Sequence, residues 1–204
     1  MTGRAPRPIS TQALEAGLVE RVLALRTPAV VLVDGAPVTA PAELAEALVA
    51  GVRAAGRSAV HVDTHDFWRD ASLRLEYGRE DVDSYLDWLD VPALEREVIR
   101  PLRSQQPVLP ALRDPVSNRS SRVPRVQTST VVLSGELLLR HDLEADLAVH
   151  LAVSASALER RTPEAQTWTL SAFAHYEAES HPATRSDVVV RCDDARHPAV
   201  LGLR

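Results

Sequence analysis

Residues 28–53 read PAVVLVDGAPVTAPAELAEALVAGVR. Val30 to Val33 is an unbroken β-branched and apolar run, as a strand covered on both faces requires. Asp34-Gly35 ends it. Pro41 suits the first turn of a helix, where its missing N–H costs nothing. Leu44, Leu48 and Val52 then recur at helical spacing, and Gly56 stops the helix. The stretch is expected to fold as a buried strand, a tight glycine-containing loop and an amphipathic helix.

The same alternation extends outward. Upstream, Thr11 can cap a helix whose Leu14, Leu18, Val22 and Leu25 share one face, and residues 1–10 read as a loose arm. Downstream, Ala59–Val62, Thr130–Leu133, Leu147–Val153 and Asp187–Arg191 read as further short strands. Pro92 opens a helix to about Leu102, and helices are expected at 155–161 and 166–179. Asp63 to Asp90 is polar and aromatic, too rich in charge for a core. Residues 103–129 carry four prolines and read as loop with a short strand. Continuous apolar strands alternating with helices predict an α/β fold, a three-layer doubly wound parallel sheet flanked by helices. The expected organisation is an N-terminal arm and helix over 1–27 and a single domain over 28–204.

Composition narrows the function classes. The 204 residues are 45% apolar and 25% charged, enough for one sizeable core. The net charge of −5 and the scattered arginines give no basic stripe, so neither nucleic acid nor a membrane surface is an expected partner. All 23 basic residues in the Lys+Arg count are arginine. Cys192 is the single cysteine, which excludes an internal disulfide and a cysteine-based zinc cluster and suits a reducing cytoplasm. The N-terminus lacks the apolar segment of a signal peptide.

In open parallel sheets, ligands bind beyond the carboxyl ends of the strands. Three such ends carry polar residues here: Asp34-Gly35, Asp63-Thr64-His65-Asp66 and Ser134-Gly135-Glu136. The strand–loop–helix of 28–53 is also the layout of a phosphate-binding loop. Gly35, Ala36, Val38, Thr39 and Ala40 would then present backbone groups to an anion near a helix N-terminus. A loop of that kind needs a lysine on the β- and γ-phosphates, and the chain has none.

Over roughly residues 28–204 the chain resembles the uridine kinase and phosphoribulokinase family of P-loop kinases. VVLVDGAPVTAPAELAEAL (30–48) resembles the family's P-loop and its helix. GRSAVHVDTHDFWR (56–69) resembles the second strand and the D-x-F-[YH]-R motif. LRLEYGREDVDSYLDWLDVPALEREVIRPL (73–102) resembles the substrate-side segment. TVVLSGELLLR (130–140) resembles the V-V-V-E-G-x-F-L strand, ADLAVHLAV (145–153) the strand before the lid, and HYEAESHPATRSDVVVRCDDARHPAV (175–200) the closing segment. The resemblance implies a P-loop NTPase fold, ATP with Mg²⁺ as cofactor, and a nucleoside such as uridine or cytidine as acceptor. It implies an acceptor-substrate segment over 63–103, in which Asp63, Arg69, Arg74, Tyr77, Arg79, Tyr85, Asp87 and Trp88 match the substrate wall. A shortened lid falls over 155–175.

The departures from the family pattern fall on the chemistry. Gly35 keeps the first glycine of the motif, but Ala40 stands at the second, Pro41 at the lysine and Ala42 at the Ser/Thr. His65 replaces the catalytic aspartate and Ser134 the acid of the V-V-V-E-G strand. The lid's arginine-bearing stretch is reduced to RRTPEAQTW. His65 or Asp66 is the candidate substitute base. Glu136 either reaches the lost acid's place or opens the next helix. Phosphoryl transfer rests on positioning and charge stabilisation, and loss of one such group costs roughly 10²–10³ in rate. The expected function is therefore a nucleoside- or nucleotide-binding pseudokinase, with weak or no activity and with ATP and Mg²⁺ binding in doubt. One alternative is an active atypical kinase in which Arg69, Arg160 or Arg161 reaches the phosphates, His65 or Asp66 is the base and Glu136 the metal ligand. Another is a non-catalytic partner-binding module using 63–90. A homo-oligomer, or pairing with an active kinase relative, is the expected association. His150, Trp168 and Phe173 read as core, Cys192 as a buried thiol, and His175, His181 and His197 as too dispersed for a metal site.

Overall fold

The computed structural model describes residues 6–194 and 197–203. In chain order the elements are β1 (Arg7–Pro8), α1 (Thr11–Ala24), β2 (Ala29–Gly35), α2 (Pro41–Ala54), β3 (Val60–Asp63), α3 (Ala71–Arg74), α4 (Val82–Leu86), α5 (Val91–Leu94) and α6 (Arg100–Arg103). They continue with β4 (Arg113–Asp114), β5 (Arg119–Ser120), β6 (Thr130–Gly135), β7 (Leu147–Ala152), α7 (Ala155–Arg161), α8 (Leu170–Ser180), β8 (Val188–Arg191) and β9 (Ala199–Leu201). A π-helical turn, Glu95–Ile99, joins α5 to α6.

Seven strands form one sheet in the order β1-β9-β8-β7-β2-β6-β3. β3, β6, β2, β7 and β8 are parallel neighbours, and β9 and β1 add antiparallel beyond β8. Every residue of β2 is buried, so the unbroken apolar run has its expected cause. The pleat splits that run between two faces. Val30 and Leu32 pack with Phe67, Leu94, Leu102 and Phe173 on one side. Val31 and Val33 pack with Leu14, Leu18, Leu48 and Val52 on the other. The result is the three-layer α/β architecture that the strand–helix alternation predicts.

Three expectations need correction. Part of the N-terminal arm is a strand: Arg7 stands opposite Val200, Pro8 opposite Ala199, and Ile9 N–H donates to Pro198 O at 3.0 Å. A sheet edge tolerates the proline, whose missing donor would be fatal inside the sheet; the first five residues lie outside the described chain. Ser10, not Thr11, caps α1, accepting from Ala13 N–H at 3.2 Å.

The third correction concerns 63–90, which contributes core rather than a solvated surface. Phe67, Tyr85, Leu86, Trp88 and Leu89 are all buried. The charges that mislead are largely caps: Asp63, Asp70, Asp81 and Asp90 each accept a backbone N–H at the start of a short helix. The ends of this segment are tied together by Arg69 N–H to Trp88 O at 2.8 Å and Asp90 N–H to Phe67 O at 2.9 Å. Within 103–129, β4 and β5 form a hairpin. It docks on this segment through Arg113 to Asp70 (2.9 Å) and through Asn118, which bonds both Asp70 Oδ1 and Ala71 N–H at 2.9 Å.

Candidate functional site

β2 ends at Gly35, β6 at Gly135 and β3 at Asp63, and these ends are neighbours because β6 lies between β2 and β3. Neither glycine has room for a side chain. A Cβ on Gly35 would stand 2.5 Å from Thr39 Oγ1 and 2.8 Å from Leu151 Cβ, and one on Gly135 would stand 1.9 Å from Thr64 Oγ1. The turns after β2 and β3 close onto the strand ends at these two points.

After Gly35 the chain forms a 3-10 turn, Pro37–Thr39, closed by two internal N–H bonds. Thr39 N–H donates to Ala36 O at 2.8 Å and Ala40 N–H to Pro37 O at 3.0 Å, while the Thr39 hydroxyl also donates to Ala36 O at 2.7 Å. Pro37 and Pro41 have no N–H to offer. Ala40 is left-handed, with φ 55° and ψ 56°, where glycine sits without strain and alanine does not. At the end of α7, Arg161 donates to Cys192 O at 2.7 Å and to Val38 O, tying the turn to the exit of β8.

Beyond β3, Asp63 caps the turn Thr64–Phe67 by accepting from His65 N–H at 3.0 Å, and fully buried Phe67 anchors it. The turn carries His65 back so that its Nδ1 donates to Asp63 Oδ1 at 2.6 Å. Its Nε2 lies 2.9 Å from Glu136 Oε2, an ion pair outside hydrogen-bond geometry. Glu136 Oε1 accepts from the Tyr85 hydroxyl at 3.0 Å. Burial disfavours the His65 imidazolium, but the Glu136 charge, the bond to Asp63 and the Asp63 charge outweigh it and push the pKa up to about 10. His65 is thus a cation at neutral pH, with no lone pair to accept a proton. Burial raises the Tyr85 hydroxyl well above its ordinary value, and the Glu136 charge adds to the rise.

These groups floor a cavity of about 490 Å³. Its walls include Trp68, Trp88, Trp168, Tyr85, Arg74 and Arg79. Trp68 and Trp88 meet edge-to-face at 5.0 Å, and Tyr85 meets Trp168 at 5.1 Å. The Arg74 guanidinium lies 5.1 Å from the Trp68 ring and 4.9 Å from the Trp88 ring. Arg74 is 6% exposed, and it donates through Nε to Arg69 O at 2.8 Å and through a terminal nitrogen to Pro115 O at 3.3 Å.

Immediately before the Gly35 turn, Asp34 is completely buried. Its Oδ2 accepts from His150 Nδ1 at 2.6 Å and from the Tyr176 hydroxyl at 2.9 Å, and its Oδ1 accepts from Leu138 N–H at 2.8 Å. Burial opposes charge on His150, but the bond to Asp34 and the nearby Asp34 and Glu177 carboxylates prevail and push its pKa up to about 9. His150 is a core residue, as its strand pattern implies, but an ionised one.

No protein-family model matches the chain, and no curated protein does. Solved structures do. A protein described as a possible uridine kinase from Bacillus stearothermophilus matches over 86% of this chain and 96% of its own, with a TM-score of 0.70 at 22% identity. A candidate fructose transport system kinase from Silicibacter sp. TM1040 matches over 87% and 92%, with a TM-score of 0.60 at 22% identity. The chain has the P-loop kinase-like fold.

The P-loop kinase-like fold implies Mg-ATP at the turn after β2, and the residues there do not fit it. Pro41 and Ala42 supply neither a cation nor a metal-binding hydroxyl. The N–H groups of Thr39 and Ala40 are committed within the turn, and the Arg161 guanidinium is committed to carbonyls. Among the described residues no group of three or more His, Cys, Asp or Glu is placed to hold a metal ion.

Of the residues singled out from the sequence, His65, Glu136, Arg74, Arg79, Tyr85 and Trp88 line the cavity, with Asp63 directly behind His65. Asp66 is not in its wall; burial, then the Asp63 charge, push its carboxyl up to about 6. Asp87 pairs with Arg140 at 2.8 Å outside the cavity, Tyr77 is 74% exposed, and Arg69 contributes its carbonyl to Arg74. Gly35, Ala36, Val38, Thr39 and Ala40 build the turn. Of Arg69, Arg160 and Arg161, the described contacts bring Arg161 to it. Sequence reasoning missed two wall elements. Trp168, half-buried and packed against the core, also forms part of the cavity wall, and Pro115 and Val116 arrive on the β4–β5 hairpin. The signal for the hairpin was Asp114 followed by Ser117-Asn118, a turn composition. Cys192 is half-buried, with burial pushing its thiol up to about 11.

Proposed function

We propose that this chain is a pseudokinase: it binds a nucleoside or nucleotide in the tryptophan-lined cavity and has little or no ATP-dependent phosphotransfer activity. It acts in the cytoplasm as a ligand sensor or as the partner of an active relative. The observation that carries this reading is a contrast between two neighbouring sites. The turn after β2 bonds the Thr39 and Ala40 N–H groups internally and is followed by Pro41-Ala42 rather than a lysine and a hydroxyl, whereas the cavity beside it has aromatic walls, buried Arg74 and the His65–Glu136 floor. Aromatic faces suit a base, and the cations suit ribose or phosphate oxygens. The structural likeness to a protein described as a possible uridine kinase supports the ligand class. With several charge-stabilising groups absent, each ordinarily worth roughly 10²–10³ in rate, little phosphotransfer is expected.

All three tryptophans line this cavity, so intrinsic fluorescence reports directly on its occupancy. Titration with uridine, cytidine and their 5′-monophosphates should give a saturable change, and a coupled assay with Mg-ATP should show no turnover. Turnover at an ordinary kinase rate of about 1–100 per second would overturn the inactive reading. An unchanged emission with all four compounds would overturn the ligand class.

A second reading is an active kinase in which a guanidinium replaces the lysine. The contact of Arg161 with Val38 O favours it, because that places a cation at the turn. If it holds, Arg161→Ala abolishes a measurable turnover.

A further inference from the structure

We propose that the cleft between the end of β7 and helices α7 and α8 is a second small-molecule site, taking an uncharged, mostly apolar molecule of about ring size with one acceptor oxygen for His150 Nε2. The cleft has a volume of about 430 Å³. It shares no lining residue with the tryptophan cavity; the two abut at Ala36-Pro37 and at the Tyr85–Phe173 ring contact of 6.4 Å. Nothing in the pseudokinase reading assigns it a role, and the proposal does not depend on that reading.

Two features define its chemistry. The first is an apolar wall built by Leu151, Val153, Leu158, Leu170 and Phe173. The second is a polar atom without a partner. His150 belongs to the wall, its side chain is 4% exposed, and its Nε2 is buried with no hydrogen-bond partner among the described residues. Nε2 faces Glu177, whose Oε1 lies 3.6 Å away, beyond hydrogen-bond length, on a side chain that is 54% exposed. Nδ1 is committed to Asp34, which fixes the ring and leaves Nε2 on the side of Glu177, another residue of the cleft wall. A buried donor left unmet is destabilising, and an acceptor entering the cleft relieves that cost.

Charge excludes an anion. Glu159 and Glu177 are both exposed members of the wall and stand at its open rim. The Asp34 carboxylate already balances the imidazolium. A carboxylate ligand would meet two glutamates on entry, and a ligand without an acceptor would leave Nε2 unmet.

The test uses acetophenone, with ethylbenzene lacking the acceptor and benzoate carrying a charge. Binding is followed by calorimetry and by the ¹⁵N signal of His150 Nε2 in the full-length protein. Acetophenone should bind with a dissociation constant of about a millimolar or tighter and move the Nε2 signal, with the other two at least about tenfold weaker. Ala174 and Ser171 are exposed wall positions, so Ala174→Phe and Ser171→Phe fill the cleft without disturbing the core. Each should weaken acetophenone binding by about tenfold or more and leave the uridine fluorescence titration unchanged. Absence of acetophenone binding, equal binding of benzoate or ethylbenzene, or full binding by both filled variants would overturn the proposal.

Discussion

Nε2 of His65 stands 2.9 Å from Oε2 of Glu136, and each residue lies two positions beyond a registered pair, Asp63 opposite Ser134 on adjacent parallel strands. The register that builds the sheet therefore also brings the imidazole and the carboxylate together. With Asp63 on its other nitrogen, His65 is held as a cation and its pKa is pushed up to about 10. Its Cε1–H signal in a proton–carbon NMR titration should stay flat through neutrality and move only near that value. Glu136→Gln removes the charge and should bring the midpoint down. A wild-type midpoint close to the ordinary histidine value of about 6.5 would show that His65 is free to act as a base.

Two histidines, His65 and His150, make stability fall on the alkaline side. A histidine whose folded pKa lies above its unfolded value contributes fully below the unfolded value of about 6.5 and loses that contribution as pH rises through the folded value. The folded values are about 9 for His150 and about 10 for His65. Urea denaturation should therefore show a declining unfolding free energy from near neutrality to about pH 10. His150→Gln should be destabilised near pH 6 by about 3–5 kcal/mol, the cost of leaving buried Asp34 without its counter-charge, and should show a shallower alkaline decline. An unchanged pH profile in that variant would refute the Asp34–His150 ion pair.

The parts of this molecule legible in the sequence are those with one-dimensional causes. The five parallel strands follow from apolar runs such as Val30–Val33, and α2 from Pro41 and the Leu44–Val52 spacing. The strand-end location of His65 and Glu136 followed from the same runs. What stayed hidden depends on partners distant in sequence. Arg7 and Pro8 are a strand only because Ala199 and Val200 lie beside them. Trp168 looks like any core aromatic until Tyr85 and Trp88 are seen to surround the same space. The aspartates of 63–90 read as solvated charge because a cap and a surface carboxylate look alike without the helix start they bond.

The left-handed backbone of Ala40 offers a separate check on the turn. Its φ of 55° and ψ of 56° carry a steric cost that glycine does not have. Ala40→Gly should raise stability by about 0.5–1 kcal/mol, measured as an upward shift in melting temperature. It should not confer Mg-ATP binding by calorimetry, even combined with Pro41→Lys, because the Thr39 and Ala40 N–H groups remain bonded inside the turn. A melting temperature lowered by Ala40→Gly would show that Ala40 is unstrained, and firm ATP binding by the double variant would show that the turn's N–H groups are free for phosphate.

Arg74 should resist conservative exchange. Its planar guanidinium lies over two tryptophan rings and donates to two backbone carbonyls. A lysine ammonium reproduces neither the flat stacking nor the fork. Each desolvated cation–π contact is worth about 2 kcal/mol or more and each neutral hydrogen bond about 1 kcal/mol, but the lysine recovers most of both. Arg74→Lys should therefore cost about 2 kcal/mol of stability. It should also weaken the uridine fluorescence titration about tenfold, because Trp68 and Trp88 lose the group that fixes their spacing. Arg79→Lys is the matched control for stability: this cation is exposed at the same cavity, and the exchange should change unfolding free energy by no more than about 0.5 kcal/mol. If Arg74→Lys and Arg79→Lys melt alike, Arg74 is an ordinary wall residue and the two-ring clamp is not what holds the cavity in shape.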